Sequence, residues 1–255
     1  MKSTDLKRIL YTVSDNVRHL LFPRRCIGCG KLTEGLSAHT PFCTECSSTF
    51  DTEYNSCCSD CGKQHRACRC FPHTGTKYPQ YHLLPYKPGS KKYAVTAAML
   101  LRIKDVPDRD TVLFLAEELK TLCQQIITEN GYDPAQCVLA YAPRSPKNYR
   151  KTGVDQARAL TQALSLLTDL PVVYALRHNK NDRIQKDLST AQRLENAQTS
   201  YCIIDKPNIY TTLSSKHVIL IDDIMTSGAT LMHCASLLTK AGAKSVVCLT
   251  VAKST

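Results

Sequence analysis

Residues 218–230 read Val-Ile-Leu-Ile-Asp-Asp-Ile-Met-Thr-Ser-Gly-Ala-Thr, and this stretch determines the fold that we expect. The four apolar residues 218–221 are typical of a buried parallel strand. Asp222 and Asp223 follow where that strand is expected to end, and a short loop, 226–230, then leads into an apolar helical pattern. Because ligands of open α/β sheets bind at the carboxyl ends of strands, the sequence predicts a binding pocket at this point.

The loop and the paired acids have chemistry that suits a sugar phosphate. A hydroxyl-rich loop at a helix N-terminus offers backbone N–H groups and the positive end of the helix dipole to a phosphate. Gly228 lets the backbone approach closely, since a Cβ would be in the way. Two adjacent carboxylates can accept hydrogen bonds from vicinal hydroxyls. The alternative, a solvated Asp-Asp pair without a function, requires strand, acids, glycine and hydroxyls to coincide by chance.

The length and composition of the chain limit its possible classes. It has 255 residues, enough for one large or two small domains, and 43% of them are hydrophobic, which supports a proper core. No stretch is long and apolar enough to span a bilayer. Charged residues interrupt the apolar runs near the N-terminus, which argues against a signal peptide. We therefore expect a cytoplasmic protein, with peripheral association with the inner face of the membrane as an alternative.

The formal net charge is +11, and part of the excess is concentrated in one segment. Residues 144–193 contain four acids and ten bases, namely Arg144, Lys147, Arg150, Lys151, Arg158, Arg177, Lys180, Arg183, Lys186 and Arg193. Such a density of positive charge fits a polyanion such as pyrophosphate, and it could also hold a nucleic-acid backbone.

Nine of the fourteen cysteines lie within residues 26–70, which indicates metal binding in a cytosolic protein. The first set has zinc-ribbon spacing, with two knuckles separated by thirteen residues: Cys26, Cys29, Cys43 and Cys46. Gly30 directly follows the first knuckle, where a backbone that donates N–H groups to a thiolate needs a glycine. A closed site of four thiolates is structural rather than catalytic.

A second set follows, with Cys58, Cys61, Cys68 and Cys70 as the favoured ligands. Its second half has one spacer residue where two are usual, so His65 or Cys57 could replace one ligand. Sequential pairing of the knuckles is the simplest arrangement, and an interleaved one is the alternative. We expect two structural zinc ions, with an iron–sulfur cluster as the less favoured metal group.

Alternating strand and helix patterns in the rest of the chain predict an α/β fold, with a parallel sheet and helices on both faces. Strands are expected at 81–86, 137–142, 172–176, 199–204, 217–221 and 244–251, and helices at about 91–104, 108–130, 154–168 and 230–241. An amphipathic helix is expected before Pro23. Its apolar face suits packing on the protein's own domains better than contact with a membrane.

The run 218–230 resembles the diphosphoribose (PRPP) motif of type I phosphoribosyltransferases, including its Thr-x-Gly-x-Thr pattern. The order of parts from about residue 18 to 254 resembles the ComF family of competence-associated, phosphoribosyltransferase-like proteins. The parts are a cysteine-knuckle head, a tyrosine-containing linker, a helix with a terminal Lys, a basic segment, Gly-x-Asp-Gln, a basic loop and the motif. The resemblance implies a type I phosphoribosyltransferase-like sheet preceded by a small cysteine-rich module. We divide the chain into an amphipathic helix (1–22), a double zinc ribbon (23–72), a linker (73–92) and a phosphoribosyltransferase-like domain (93–255).

The resemblance also implies further site residues. Pro143 and Arg144 match the family's loop after the first core strand, which resembles a pyrophosphate-binding loop. The signature Arg-x-x-Gly-x-x-Gln is matched by Arg150, Gly153 and Gln156, whereas Thr152, Val154 and Asp155 replace the more usual Arg, Phe and Asn. The signature of the basic loop is matched by Gln185, Leu188, Arg193 and Asn196, with Asp182 where a Thr is more usual.

For a phosphoribosyltransferase, the resemblance implies that PRPP binds with Mg²⁺ and that a nucleophile displaces pyrophosphate at the anomeric carbon. Asp222 and Asp223 would act as the catalytic residues, holding ribose hydroxyls, and Asp223 would also polarise the reacting centre. The 5′-phosphate would bind to Thr226, Ser227, Gly228, Ala229 and Thr230. Arg144, with Lys186 or Arg183, would neutralise the pyrophosphate.

Two functions follow from these observations. The first is an enzyme that transfers phosphoribose to an acceptor that the sequence does not identify. The second is a non-catalytic competence factor for DNA uptake, in which the pocket senses PRPP or a nucleotide while the basic surface and the cysteine-rich head bind single-stranded DNA or partner proteins. The chain has no tryptophan and 7% aromatic residues, which gives modest support for stacking on single-stranded DNA. No segment for recognition of the acceptor can be identified in the sequence.

Overall fold

The fold is taken from a computed structural model of the chain, which describes residues 23–32, 41–70, 77–105, 108–179 and 200–255. The expected N-terminal helix lies outside the described residues, as does most of the basic loop. Among the described residues, no helix combines the length and the apolar character that crossing a bilayer requires.

The main sheet has four parallel strands in the order β1-β6-β5-β2. A separate antiparallel pair is formed by β3 and β4. The strands are β1 (Gln80–Tyr86), β2 (Cys137–Tyr141), β3 (Leu176–His178), β4 (Tyr201–Ile203), β5 (His217–Met225) and β6 (Ser245–Ser254). The parallel α/β architecture predicted from the sequence is confirmed.

Several of the helices begin at residues that cap them. The side chains of Asp108, Ser145 and Asp155 each accept a hydrogen bond from the backbone N–H three residues further on. The helices are α1 (Thr44–Tyr54), α2 (Ala94–Asp105), α3 (Arg109–Glu129), α4 (Pro146–Thr152), α5 (Gln156–Thr168), α6 (Pro207–Leu213) and α7 (Ala229–Lys240). The sequence patterns did not predict α1, α4 or α6, of which the last two have only seven residues each.

The core consists of two apolar clusters, one on each face of the sheet. On β5, Ile219 and Ile221 belong to the cluster that contains α3 and α5, whereas Val218 and Leu220 belong to the cluster that contains α7. Successive side chains of a strand point to opposite faces, so a run of apolar residues fits a strand that is covered on both sides. Full burial of each such side chain stabilises the fold by about 1.5–3 kcal/mol.

We use the name cysteine-rich head for the described residues 23–32 and 41–70, which pack on the β1 edge of the sheet. The ring centroids of Phe50 in α1 and Phe114 in α3 lie 5.3 Å apart. Nδ1 of the buried His65 lies 3.2 Å from Nε2 of His82 on β1. Burial lowers the pKa of His65 to about 4 and that of His82 to about 3, so both rings are neutral at physiological pH. The head and the sheet therefore share a buried interface.

Three strands differ from their predicted positions. Val172 makes only a single bridge, to Leu139, and the chain then leaves the main sheet, so the strand expected at 172–176 lies at 176–178. This strand, β3, pairs with β4, which is the shorter form of the strand expected at 199–204. Neither β3 nor β4 joins the main sheet. Strand β5 continues to Met225 because β6 pairs with it as far as Lys253.

Candidate functional site

The two adjacent acids lie within β5 rather than after it. Because the strand continues to Met225, their side chains alternate, with Asp222 on the α7 face of the sheet and Asp223 on the α5 face. Oδ1 of Asp222 accepts a hydrogen bond from the backbone N–H of Asp223 at 2.9 Å, and Oδ1 of Asp223 accepts one from that of Ile224 at 2.7 Å. The two carboxylates are therefore held in fixed orientations on opposite sides of the strand.

A cavity of about 220 Å³ opens at the carboxyl ends of β2 and β5. Strand β2 ends at Tyr141, opposite Ile221, so the last part of β5 has its pairing partner on only one side. The cavity is lined by Lys104, Ala142, Pro143, Arg144, Ser145, Asn148, Asp155, Gln156, Ala157, His178, Tyr201, Asp222 and Thr230. The structure thus brings four of the predicted site residues, Pro143, Arg144, Asp222 and Thr230, around one space.

Arg144 is the centre of a hydrogen-bond network beside this cavity. Its Nη1 donates to the carbonyl oxygen of Lys104 at 2.7 Å, to Oε1 of Gln156 at 2.9 Å and to the carbonyl oxygen of Val154 at 3.2 Å. Nε2 of Gln156 in turn donates to Oδ2 of Asp223 at 2.8 Å. Gln156 therefore connects the predicted pyrophosphate loop to one of the predicted catalytic acids.

The acids at the cavity are poorly solvated. Burial, together with the neighbouring charge of Asp223, raises the pKa of Asp222 well above its usual range. Burial also raises the pKa of Asp155, although the backbone N–H groups of Arg144 and Arg158 oppose that change. A site lined by the carboxyl groups of Asp155 and Asp222 and by the cations Lys104 and Arg144 suits a ligand that carries both hydroxyl groups and negative charge.

The loop 226–230 forms the turn between β5 and α7. Gly228 has a φ of 74°, a left-handed conformation that favours glycine. Gly228, the residue before α7, has no side chain to cap the helix, and Oγ of Ser227 accepts a long hydrogen bond from the N–H of Ala229 at 3.4 Å. Thr230 lines the cavity, whereas Thr226, Ser227, Gly228 and Ala229 are not among the described residues that line it. Their backbone N–H groups remain the predicted phosphate ligands.

Part of the predicted site lies outside the described residues. This applies to Arg183 and Lys186, which were expected to contact pyrophosphate, and to the residues matched to the basic-loop signature, Asp182, Gln185, Leu188, Arg193 and Asn196. Their predicted roles stay predictions.

The structure adds lining residues that the sequence did not single out as ligands, among them Asn148, His178 and Tyr201. His178 lies at the end of β3 and Tyr201 at the start of β4, with their ring centroids 4.3 Å apart. Nothing in the local sequence signals this pair, because the two residues meet only through the pairing of two short strands. Lys104 had a weak signal, since a helix with a terminal Lys belongs to the family resemblance.

The cysteines form two tetrads, each of which could hold a metal ion. In each tetrad the sulfur atoms all lie within 4.8 Å of one another, and the members are Cys26, Cys29, Cys43 and Cys46 in the first and Cys58, Cys61, Cys68 and Cys70 in the second. The geometry therefore groups the cysteines sequentially rather than in an interleaved way. His65 and Cys57 belong to neither group.

The backbone around the tetrads suits thiolate ligands. The N–H of Cys43 donates to Sγ of Cys26 at 3.2 Å, and that of Cys70 donates to Sγ of Cys68 at 3.3 Å. Burial opposes ionisation of Cys26, but the N–H groups of Cys29, Cys43 and Gly28 outweigh it and lower the pKa of that thiol to about 6. The donor set and the N–H groups fit a metal that prefers thiolate.

Comparison with known proteins gives a consistent result. Residues 150–254 match the model of the phosphoribosyl transferase domain. The chain is 28% identical over 214 residues to Competence protein ComFC of Streptococcus pneumoniae (strain ATCC BAA-255 / R6), a match that covers 80% of this chain and 84% of that protein.

Two solved structures also show similarity. One is the allosteric regulatory enzyme of purine biosynthesis, with 18% identity, 51% of this chain covered and a TM-score of 0.32. The other is glutamine PRPP amidotransferase from B. subtilis, complexed with ADP and GMP, with 18% identity, 45% of this chain covered and a TM-score of 0.30. The matches span only 24% and 22% of those enzymes, and TM-scores of this size carry no weight for the function of this chain.

The domain match covers the part of the chain from α5 to β6, and the match with the relative extends over 80% of the chain. The domain match and the match with this relative support the similarity to the ComF family of phosphoribosyltransferase-like proteins that the sequence motifs indicate.

Proposed function

We propose that this protein binds PRPP, or a related ribose phosphate, in the cavity at the carboxyl ends of β2 and β5. One observation carries the proposal. Asp222 and Thr230 of the stretch 218–230 line the same space of about 220 Å³ as Pro143 and Arg144, although the two segments lie more than 70 residues apart in the chain. Such convergence of polar groups at the carboxyl edge of a parallel sheet is typical of a ligand site.

Each part of the site has a role in this proposal. Asp222, which lines the cavity, accepts hydrogen bonds from the ribose hydroxyls, and Asp223, which is not among the described lining residues, acts beside it through its hydrogen bond from Gln156. The N–H groups of residues 226–230 hold the 5′-phosphate. Arg144 faces the pyrophosphate, together with Arg183 or Lys186. Mg²⁺, when it is bound with PRPP, supplies further charge compensation.

The same geometry would support transfer of phosphoribose. A nucleophile would bond to the anomeric carbon while the bond to pyrophosphate breaks, and pyrophosphate would leave with the electron pair. The carboxylates beside the ribose would stabilise the positive charge that develops on the sugar, and Gln156 keeps Asp223 oriented by its hydrogen bond at 2.8 Å.

Calorimetric titration with PRPP and Mg²⁺ tests the binding. We expect Asp222→Asn to weaken binding by about tenfold or more, because a hydrogen bond to a charged group contributes about 1.5–3 kcal/mol. Asp205→Asn is the matched control, since Asp205 is exposed and lies outside the cavity lining. Heat of binding that is absent from the wild-type protein, or unchanged in Asp222→Asn, would contradict the proposal. Release of pyrophosphate across candidate acceptors then tests transfer.

We further propose that the two tetrads bind zinc and that both ions are structural. Four thiolates close the coordination sphere of a tetrahedral ion and leave no position for a substrate. Elemental analysis should find about two zinc ions per chain, and substantial iron would contradict the assignment.

A second candidate function, binding of single-stranded DNA or of competence-machinery proteins, rests on the surface of α4. Lys147, Tyr149, Arg150 and Lys151 are exposed on this helix, and the guanidinium of Arg158 lies 5.5 Å from the ring centroid of Tyr174 nearby. Cations beside exposed tyrosines can hold a single strand. Fluorescence anisotropy with a labelled oligonucleotide should show weaker binding when the three cations of α4 are neutralised. A protein with this function would act in the cytoplasm. A peripheral contact with the inner face of the membrane could hold it there.

A further inference from the structure

Helix α2 connects the cysteine-rich head to the candidate site. It has twelve residues, so it extends for about 18 Å at a rise of about 1.5 Å per residue. Its first turn contacts α1 of the head, and its last turn lies beside the cavity, where Lys104 is part of the lining. A rigid helix with one end in each region can transmit the position of one to the other.

The contact at the first turn is made by one buried acid of the head, Glu53. Its Oε1 accepts a hydrogen bond from the backbone N–H of Val95 at 2.9 Å, and its Oε2 accepts from the N–H and the hydroxyl of Thr96 at 2.8 and 2.7 Å. Glu53 is 1% exposed. A carboxylate at a helix N-terminus is favoured by the helix dipole, and N–H groups left unpaired in this buried place would destabilise the contact.

The same head helix is tied to the first cysteine tetrad. Glu53 lies near the end of α1, and Cys46 of the tetrad lies near its start. A second contact is made by Gly30, which follows Cys29. A Cβ at Gly30 would overlap Nη2 of Arg102, so the guanidinium of Arg102 lies directly against the knuckle. The head therefore holds α2 both at its first turn and two residues before Lys104.

The other end of α2 holds Arg144. The carbonyl oxygen of Lys104, in the last turn of the helix, accepts the shortest of the three hydrogen bonds from Nη1 of Arg144, at 2.7 Å. The same Nη1 donates to Gln156, which donates to Asp223. A shift of α2 along its axis would thus move the carbonyl of Lys104 that fixes Arg144. It would also disturb the link from Arg144 through Gln156 to Asp223.

We propose that Glu53 is a positioning residue for the site: it fixes α2, and through the carbonyl of Lys104 it fixes Arg144 and the Gln156–Asp223 pair. This inference rests on the proposed function, because it treats Arg144 as a ligand of PRPP. It assigns a role to an acid of the cysteine-rich head that does not itself line the cavity.

The test compares Glu53→Gln with Glu45→Gln, a matched change at an exposed position of the same helix. A glutamine at position 53 keeps one acceptor oxygen, but its NH₂ group then meets N–H donors. We expect Glu53→Gln to weaken PRPP binding by about fivefold or more, the lower end of couplings between linked sites. Glu45→Gln should change it by less than about twofold.

A double-mutant cycle separates positioning from a general loss of stability. In the background of Arg144→Met, Glu53→Gln should weaken binding by less than about twofold, because the residue through which it acts is gone. Equal losses in both backgrounds would overturn the inference. Should Glu53→Gln fail to fold, Thr96→Val removes one of the three hydrogen bonds and should act in the same direction.

A second measurement does not depend on PRPP. The backbone N–H of Arg144 donates to Oδ2 of Asp155 at 2.9 Å, so its hydrogen exchange reports the order of this loop. In the ligand-free protein we expect this amide to exchange about fivefold faster in Glu53→Gln than in Glu45→Gln. Equal exchange would overturn the inference even if PRPP binds. Faster exchange in a protein that binds no PRPP would support the link and would contradict only the proposed function.

Discussion

The cysteine-rich head and the sheet domain are stabilised by different means. Apart from its cysteines, the described part of the head buries only three apolar side chains below about one-tenth exposure, those of Ile27, Pro41 and Phe50. The main sheet, by contrast, has an apolar cluster on each face, with Ile219 and Leu220 of β5 fully buried. One region thus has two cysteine tetrads that could each hold a metal ion and adds only a few apolar side chains to the core, whereas the other supplies most of the core.

This difference determines how large the single contributions to the free energy of folding are in each region. A structural zinc site contributes about 10–16 kcal/mol of apparent binding energy at neutral pH, which is folding energy where the site does not exist in the unfolded chain. A fully buried aliphatic side chain contributes about 1.5–3 kcal/mol, so the sheet depends on many small contributions. The head should therefore unfold in one step when its metal is removed, and the sheet should respond gradually to single substitutions.

Metal removal should have the largest effect. Chelation under reducing conditions should abolish hydrogen-exchange protection in residues 41–70, because little apolar burial remains to hold them. Residues 217–221 and 246–252, which are buried in the sheet, should stay protected. Exchange should be followed by mass spectrometry before and after chelation, and again after zinc is restored. Protection of residues 41–70 that survives chelation would contradict the comparison.

A core substitution should produce the reverse pattern. Ile219→Ala should lower the free energy of unfolding of the sheet by about 2–5 kcal/mol, because it leaves a cavity in a completely buried site. Leu166→Ala is the matched control, since Leu166 is 78% exposed, and it should change stability by less than about 0.5 kcal/mol. The metal content of both variants should equal that of the wild-type protein. A loss of metal in Ile219→Ala would show that the head depends on the core of the sheet for its stability.

In both regions the features that the sequence predicted are those set by neighbouring residues in the chain. The tetrads follow from local spacing, since each Cys-x-x-Cys knuckle forms within a single turn, and the glycines after Cys29 and Cys61 adopt the positive φ angles that such turns need. Strand β5 was equally clear because four successive apolar residues require cover on both faces. These features depend on neighbours in the chain.

The parts that were missed depend on distant contacts. The hydrogen bonds of Glu53 to α2 join residues more than 40 positions apart, and the link from Gln156 to Asp223 spans 67 positions. The pairing of β3 with β4 displaces the strand expected at 172–176 and brings His178 next to Tyr201. Helix and strand periodicity carries no information on such contacts, and α4 and α6 are too short to show a period.

A glycine in the head offers a smaller test of the metal-dependent region. A Cβ at Gly28 would lie 2.8 Å from Sγ of Cys46 and 2.9 Å from its Cβ, so Gly28→Ala should displace a predicted ligand of the first tetrad. We expect zinc affinity of that tetrad to fall by the equivalent of about 1–3 kcal/mol, the usual cost of overpacking. Competition with a chromophoric chelator measures this affinity for each of the two sites.

The corresponding control is Gly62→Ala in the second tetrad. A Cβ there would meet no described atom within 4 Å, but the φ of 68° is strained for alanine, at a cost of about 1–2 kcal/mol. Gly62→Ala should therefore affect only the second site, and Gly28→Ala only the first. If both substitutions weaken both sites equally, the sequential grouping of the cysteines is wrong.

The smallest expected effect concerns the sheet and its functional acid. Since the pKa of Asp222 is raised in the folded protein, this group favours folding only while it is protonated. Its contribution is complete below its ordinary value of 3.8 and is lost as the pH rises through the higher folded value. At neutral pH the burial of this acid therefore costs stability, and Asp222→Asn should raise the melting temperature by about 2–4 °C, the shift that about 1 kcal/mol produces in a domain of this size.

The gain from Asp222→Asn should shrink towards zero as the pH is lowered below about 4, where wild-type Asp222 is also neutral. Thermal unfolding from about pH 3 to pH 8 measures this trend, with Asp205→Asn as the exposed control. The same variant should lose PRPP binding, which would show that the sheet keeps a destabilising charge for its ligand, as functional sites often do. A melting temperature that falls at neutral pH would mean that Asp222 holds the fold together and would remove this reason for regarding it as a ligand-binding group.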